Sequence, residues 1–236
     1  MKIVCISDTH MWGMPLSDLP EGDILVHAGD GTFRGTIKEI KQFHKELIKH
    51  KEDSRYKKGY KEIIFVPGNH DWLFQTDPDV ARMLMPDVEV LINETYHYYD
   101  EEHGEVLRIY GSPICPPFGH WAFYLEDRER AEHWKGIPER DELDMLITHG
   151  PPYAILDEVP KWSGVGYKNT GCQHLRKEVL GRCNPKYHVF GHIHEGYGQH
   201  VYPTEHGSTR FINASIMNGQ YKPLNKPIVI NTKGSL

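Results

Sequence analysis

The chain predicts an α/β fold with parallel strands and enough β segments for two packed sheets. Three observations support this. Five short apolar runs of strand length each stop at residues that favour loops. Two stretches of helical period lie between runs, one after the second and one before the fifth. Four further β-rich segments bring the strand number above what one compact sheet needs.

The elements follow in order. "KIVCIS" is followed by Asp8-Thr9-His10, and "DILVHA" by "GDGTFRG". Next, "TIKEIKQFHKELIKH" places Ile37, Ile40, Phe43, Leu47 and Ile48 at helical spacing. "EIIFVP" runs into "GNHD", and "DMLIT" into "HGPP". "CQHLRKEVLGRC" sets Cys172, Leu175, Val179 and Leu180 along one helix side, and "YHVF" then leads into "GHIH". Strand–helix–strand order implies parallel pairing through right-handed crossovers. Further strands are expected near "VLRIYG", "HVYP", "RFINAS" and "PIVIN". No repeat, low-complexity tract or linker divides the chain, so residues 1–236 are expected to form one domain.

Composition narrows the function classes. The 236 residues are 39% hydrophobic, 25% charged and 11% aromatic, ordinary for a globular protein with a substantial core. A formal charge of −6 disfavours a protein that coats nucleic acid or an anionic membrane. The lysines from Lys38 to Lys61 alternate with Glu39, Glu46, Glu52, Asp53 and Glu62, the pattern of a solvated helix face and following loop. No apolar run approaches the ~20 residues of a membrane span. "MKIVCISDTH" carries one basic residue and a short apolar stretch ended by Asp8, so no secretory leader is expected. Cys5, Cys115, Cys172 and Cys183 form no CxxC pair and read as free thiols of a reducing, cytoplasmic compartment.

"FGHIHEGYG" places His192 and His194 one residue apart between glycines. In an extended segment residues i and i+2 share a face, so both rings could converge on one point. Loops at the carboxyl ends of parallel strands gather at one edge, where ligands bind. The five runs deliver Asp8, His10, Asp30, Asn69, His70, Asp71, His149, His192 and His194 to that edge. Each has an ordinary structural explanation alone: a turn cap at Asp8, a left-handed turn at Asn69, a satisfied buried ring at His149. Nine oxygen or imidazole donors after five separate strands are another matter. Seven of them as ligands would exceed the roughly four of a single zinc and suit a pair of ions sharing a carboxylate. Asp8 and Asp30 against two divalent ions leave a net positive site, which attracts a phosphate oxyanion.

Together "SDTH", "GDGTFRG", "GNHD", "THGPP" and "GHIH" resemble the five blocks of the calcineurin-like metallophosphoesterases, in the right order across residues 8–194. "LVHAGD", "YGSPICPPFGHWAF", "THGPPYAILD" and "FINASIMN" look like the metallophosphoesterase-domain-containing branch, grouped with class III cyclic-nucleotide phosphodiesterases. The resemblance implies a four-layer α/β/β/α sandwich of two mixed β-sheets. It places Asp8, His10, Asp30 and His194 on a first metal, and Asp30, Asn69, His149 and His192 on a second. It also implies a phosphodiesterase acting by attack of a metal-activated hydroxide on small phosphodiesters or cyclic nucleotides. His70 would be the general acid and Asp71, where many members carry Glu, would orient its ring. The resemblance makes Mn²⁺ the first choice here, and Fe, Zn²⁺, Co²⁺ and Ni²⁺ suit the same ligands.

Substrate selection leaves fainter marks. Trp12 follows the first block, and Phe118, His120 and Trp121 lie in a proline- and aromatic-rich stretch. They could contact a leaving group or base, or pack against the sandwich. A nuclease of the same superfamily would want a basic groove, and a non-catalytic metal-binding module would have no use for His70. Both are the weaker readings.

Overall fold

The structure, a computed structural model, describes residues 1–11, 19–52, 59–102, 104–117, 119–204 and 206–232. Its strands are β1 (Lys2–Ile6), β2 (Ile24–His27), β3 (Glu62–Phe65), β4 (Glu89–Val90), β5 (Glu94–Asp100), β6 (Glu105–Ser112) and β7 (Met145–Thr148). They continue with β8 (Glu158–Pro160), β9 (Tyr167–Asn169), β10 (Tyr187–Phe190), β11 (Gly198–Thr204), β12 (Gly207–Asn213) and β13 (Ile228–Asn231). The helices are α1 (Ile37–Glu52), α2 (Leu73–Thr76), α3 (Pro78–Met83), α4 (Asp127–His133) and α5 (Gln173–Glu178).

One sheet has the order β13-β1-β2-β3-β4 and the other β11-β12-β10-β7-β6-β5, with a small β8-β9 hairpin beside them. Both large sheets are mixed. β1, β2, β3 and β4 run parallel and β13 antiparallel, while β6, β7, β10 and β12 run parallel between antiparallel β5 and β11. Ile6 pairs with His27 and His27 with Phe65, so β1, β2 and β3 end level and release their loops side by side. All five runs that the sequence marks are the parallel strands β1, β2, β3, β7 and β10.

Strand alternation sorts the core into layers. Ile3, Cys5, Ile24, Val26 and Ile64 of the first sheet cluster with Ile109, Met145, Ile147, Val189 and Ile212 of the second, filling the space between sheets. The intervening residues Val4, Ile6, Leu25, Ile63 and Phe65 join Ile40, Phe43 and Leu47 of α1. On the far side, Leu146, Phe190 and Phe211 join Trp134, Leu175 and Val179. Each such buried side chain contributes roughly 1.5–3 kcal/mol of transfer free energy. These are the four layers α/β/β/α.

Local differences from the sequence reading have physical causes. Ile37, at the first turn of α1, is 51% exposed, because the helix is still approaching the sheet there. Residues 53–58 of the lysine-rich region lie outside the described residues; Lys38, Lys41, Lys45 and Lys49 face solvent as expected. The Cys172 Sγ accepts from the Leu175 N–H at 3.5 Å, so Cys172 caps α5 while staying buried in one cluster with Leu175 and Val179, as the helical spacing has it. The α5 pattern then widens into a π turn over Val179–Cys183, ended by left-handed Asn184. All four cysteines are free and buried, and burial pushes the Cys183 thiol up to about 12.

His27 and His188 are core residues away from the strand-end loops. His27 Nε2 lies 3.0 Å from Thr9 Oγ1, and His188 Nε2 lies 2.9 Å from Thr148 Oγ1, one pair in each sheet. Burial pushes both rings down to about 3, which keeps them neutral. Among the described residues no helix is long and apolar enough to cross a membrane.

Candidate metal centre

The level strand ends make the site. Asp8 and His10 follow β1, Asp30 follows β2, and Asn69 and His70 follow β3; His149 follows β7, and His192 and His194 follow β10. Backbone hydrogen bonds stitch these loops together: Asp8 N–H to Gly29 O at 2.9 Å, His10 N–H to Asp30 O at 3.0 Å and Gly191 N–H to His149 O at 3.0 Å. Asp8, His10, Asp30 and His192 all take left-handed backbone, with φ of 53°, 43°, 56° and 67°. Non-glycine residues seldom adopt it, and when they do the surroundings hold them there. The glycines of two blocks have a steric reason. A Cβ on Gly68 would stand 2.2 Å from Asp30 Oδ1, and one on Gly191 2.2 Å from Asp8 Oδ2. Both carboxylates press flat against backbone where no side chain fits.

His192 and His194 converge by a different route from the extended one. β10 ends at Phe190, His192 is left-handed, and His194 opens a 3₁₀ turn through Gly196. The turn, not strand alternation, brings the two rings to neighbouring places.

Asp30 Oδ2 is the focus. His149 Nε2 lies 3.3 Å from it, His10 Nε2 3.8 Å and His70 Nε2 3.9 Å. Its other oxygen accepts the His70 N–H at 2.9 Å. Asp8 lies 3.4 Å from His194 Nε2, and both its oxygens accept the His192 N–H at 3.1 Å. Asn69 Oδ1 stands 2.9 Å from His149 Nε2 and 2.8 Å from His192 Nδ1. The ligand atoms form three overlapping groups: Asp8, His10 and His194; His10, Asp30 and His70; and Asp30, His149 and His192.

Two observations fit this set to a cation. Neither ring nitrogen of buried His10 has a hydrogen-bond partner among the described residues. A buried polar atom left unpaired is costly, so a site that leaves one normally has something else to satisfy it. His149 Nδ1–H donates to Ala28 O at 2.9 Å, which leaves Nε2 of a neutral ring aimed at two acceptors, Asn69 Oδ1 and Asp30 Oδ2. Such an arrangement needs a proton or a metal between the groups.

The electrostatics agree. Burial would raise the Asp30 carboxyl, but His149, His10 and His70 together hold it well below the usual range. Burial opposes Asp8 in the same way, and the His194 ring outweighs it. Burial opposes protonation of His149 too, yet Asp30 carries it up to about 9; His194 is likewise raised by Asp8 against burial. Burial, with cationic His149 beside it, pushes His192 down to about 4. Without metal, the carboxylates thus retain protons on His149 and His194 that an ion would displace.

Asp71 does not orient the His70 ring. Its Oδ2 accepts from the N–H groups of Asp30 (3.0 Å), Gly31 (3.4 Å) and Gly68 (2.7 Å), and its Oδ1 from Thr32 N–H (2.9 Å) and Thr32 Oγ1 (2.7 Å). The carboxylate clasps the β2 and β3 loops, and its acceptors are committed. The carbonyl of Phe33 takes the orienting place, accepting from His70 Nδ1 at 2.9 Å and leaving Nε2 to face the site. Burial and the nearby Asp30 charge raise Asp71 to about 6 in spite of the Gly68 and Thr32 bonds. Asp71→Asn should cost about 1–3 kcal/mol in a urea melt, because one amide –NH₂ must face backbone donors. A wild-type midpoint in that variant would refute the clasp.

The remaining expected residues divide. Trp121 stacks on His70, ring centroids 4.0 Å apart at 28°. His120 is exposed, and Trp12 and Phe118 lie outside the described residues. The segment around them partly packs, since Ile114, Cys115, Ala122, Phe123 and Trp134 are buried. Sequence reasoning missed Phe33 and Tyr221. Phe33 lies inside the "GDGTFRG" block; nothing in the sequence marks Tyr221.

Donors of this kind at the carboxyl edge of a two-sheet α/β sandwich define a metal-dependent phosphoesterase. Residues 1–196 match the family model described as Calcineurin-like phosphoesterase, and the chain belongs to that family. It is 37% identical to Metallophosphoesterase domain-containing protein 1 of Homo sapiens over 248 residues, covering 98% of this chain and 70% of that protein. The Mus musculus protein of the same name matches at the same level. A UPF0046 protein of Caenorhabditis elegans is 34% identical, across 97% of this chain and 74% of its own. The chain therefore resembles the metallophosphoesterase-domain-containing branch. Among solved structures, Phosphopantetheinyl Hydrolase from Mycobacterium tuberculosis shares the fold, with a TM-score of 0.56 at 16% identity over 100% of this chain and 98% of that one.

Proposed function

We propose that the chain is a phosphodiesterase of small substrates, cyclic nucleotides among them, working with two divalent transition-metal ions, Mn²⁺ foremost. The observation that carries this is the single Asp30 oxygen facing three imidazole nitrogens, with unpaired His10 among them. Asp8, His10, Asp30 and His194 would hold one ion, and Asp30, Asn69, His149 and His192 the other. Bound there, the ions supply Lewis-acid polarisation of the phosphoryl oxygens and a source of nucleophile at neutral pH.

The chain's own groups do the rest. His70 Nε2 donates its proton to the departing ester oxygen. The Phe33 carbonyl fixes Nδ1–H, which sets the ring's tautomer and aim. Trp121, stacked on the ring, removes its freedom to swing away and shields one face from water. Two carboxylates against two divalent ions leave the edge positive, which draws an anionic diester.

A substrate panel on Mn²⁺-reconstituted protein tests the reading. Bis-p-nitrophenyl phosphate and 2′,3′- or 3′,5′-cyclic nucleotides should turn over faster than p-nitrophenyl phosphate, and a chelator should stop all of it. Preference for the monoester, or cleavage of single-stranded nucleic acid with a steep salt dependence, would overturn it. Tightly bound metal without turnover of any ester would make the chain a scaffold.

A further inference from the structure

The metal centre has two flanks of different character. On one side stands His70, stacked on Trp121 and 5.9 Å, ring to ring, from Phe33. Past Phe33 this flank opens into a groove of about 500 Å³ that also touches Met11, Arg34 and Lys38. In the middle lies His10, 4.6 Å from His70 and 5.5 Å from His194, centroid to centroid. On the other side Tyr221 sets its ring 4.7 Å from His194 at 72° and 5.7 Å from His10.

Tyr221 is held there against two preferences. It is 58% exposed, so packing does not require it, and its φ of 55° is one that aromatic residues rarely take. The turn around it is nevertheless firmly built. Tyr221 N–H donates to Asn218 O at 2.8 Å, Asn218 Oδ1 accepts from both Gln220 and Lys222 N–H at 3.0 Å, and Asn225 Nδ2 bonds Ser215 O and Met217 O at 3.0 Å each. A strained, exposed aromatic over two site histidines suggests a residue kept for what it meets. Tyr221 also lies beyond the residues that the family model covers, so none of the five blocks accounts for it.

A phosphodiester has two arms. If His70 protonates the leaving oxygen, as the proposed function has it, the leaving arm departs along the His70 flank toward the groove. The arm that stays on phosphorus then falls on the Tyr221 side. We infer that Tyr221 is the specificity residue for that retained arm, its ring stacking on a planar group such as a base or aryl ester. Aromatic pairs of this sort contribute enough for discrimination of about 5- to 10-fold. A monoester has no retained arm and gains nothing from it.

The inference rests on the phosphodiesterase reading, and two substrates separate the two. Phenyl p-nitrophenyl phosphate and methyl p-nitrophenyl phosphate release the same nitrophenolate and differ only in what remains. In the Mn²⁺-loaded full chain, Tyr221→Asn, which keeps a side chain tolerant of left-handed backbone, should raise KM for the phenyl diester about 5- to 10-fold. It should leave kcat, and both constants for the methyl diester, within twofold. Tyr221→Phe should behave as wild type. Calorimetry should show phenyl phosphate, the expected product, binding more weakly to Tyr221→Asn, and methyl phosphate unchanged. Equal effects on both diesters, or none, or a Tyr221→Phe variant that also loses the phenyl preference, would overturn the stacking role. Wild-type protein that hydrolyses neither diester would instead overturn the function on which it rests.

Discussion

Asp30→Asn should abolish turnover and lower metal content together, the largest effect expected of any single substitution. The carboxylate lies wholly inside the protein, with three imidazoles turned toward one oxygen. An amide can keep the bond from His70 N–H to Oδ1. It cannot supply the negative charge, and its –NH₂ would turn a donor toward His10, His70 and His149. Loss of an outer hydrogen-bond partner of a ligand already costs up to about 100-fold, so loss of a shared ligand should exceed that. Elemental analysis of protein reconstituted with Mn²⁺ should find at most one ion per chain where the wild type should hold two. A variant that is fully loaded and active would remove Asp30 from the bridging position.

His70→Gln separates leaving groups. An alkoxide departs with difficulty unless it is protonated, whereas a nitrophenolate leaves unaided. Loss of a general acid should therefore slow alkyl diesters by about 10²–10⁴-fold while nitrophenyl diesters slow much less. The Asp30, Asp8 and His194 positions are untouched, so metal content should hold. Equal losses on both substrate classes would mean that His70 only props the site through Phe33 and Trp121. The test is sharp because Nδ1 is already committed to the Phe33 carbonyl, leaving Nε2 as the one nitrogen available to a substrate.

Much of the site could be read before any fold was known, for one reason. Parallel strands ending level, at Ile6, His27 and Phe65, deliver whatever follows them to one place. Asp8, Asp30 and Asn69 could therefore be gathered without coordinates. What failed depends on contacts between segments that strand order does not fix. Asp71 stands next to His70 in the chain and reads as its orienting partner, yet its five donors come from residues 30–32 and 68. Phe33 acts through its carbonyl, which every residue has. Tyr221 sits in a polar turn with no period or block around it, so only the fold brings it to His194. The exposed end of α1 at Ile37 is a smaller case, in which helical period marks a face but not where along the helix burial begins.

The Asp71 clasp has a consequence for metal uptake itself. Because one carboxylate already ties the turns behind Asp30 and Asn69 into a single unit, little chain entropy is left to lose when a cation arrives. The centre is preorganised, and loading should exchange protons and hydration water for metal with the backbone almost where it was.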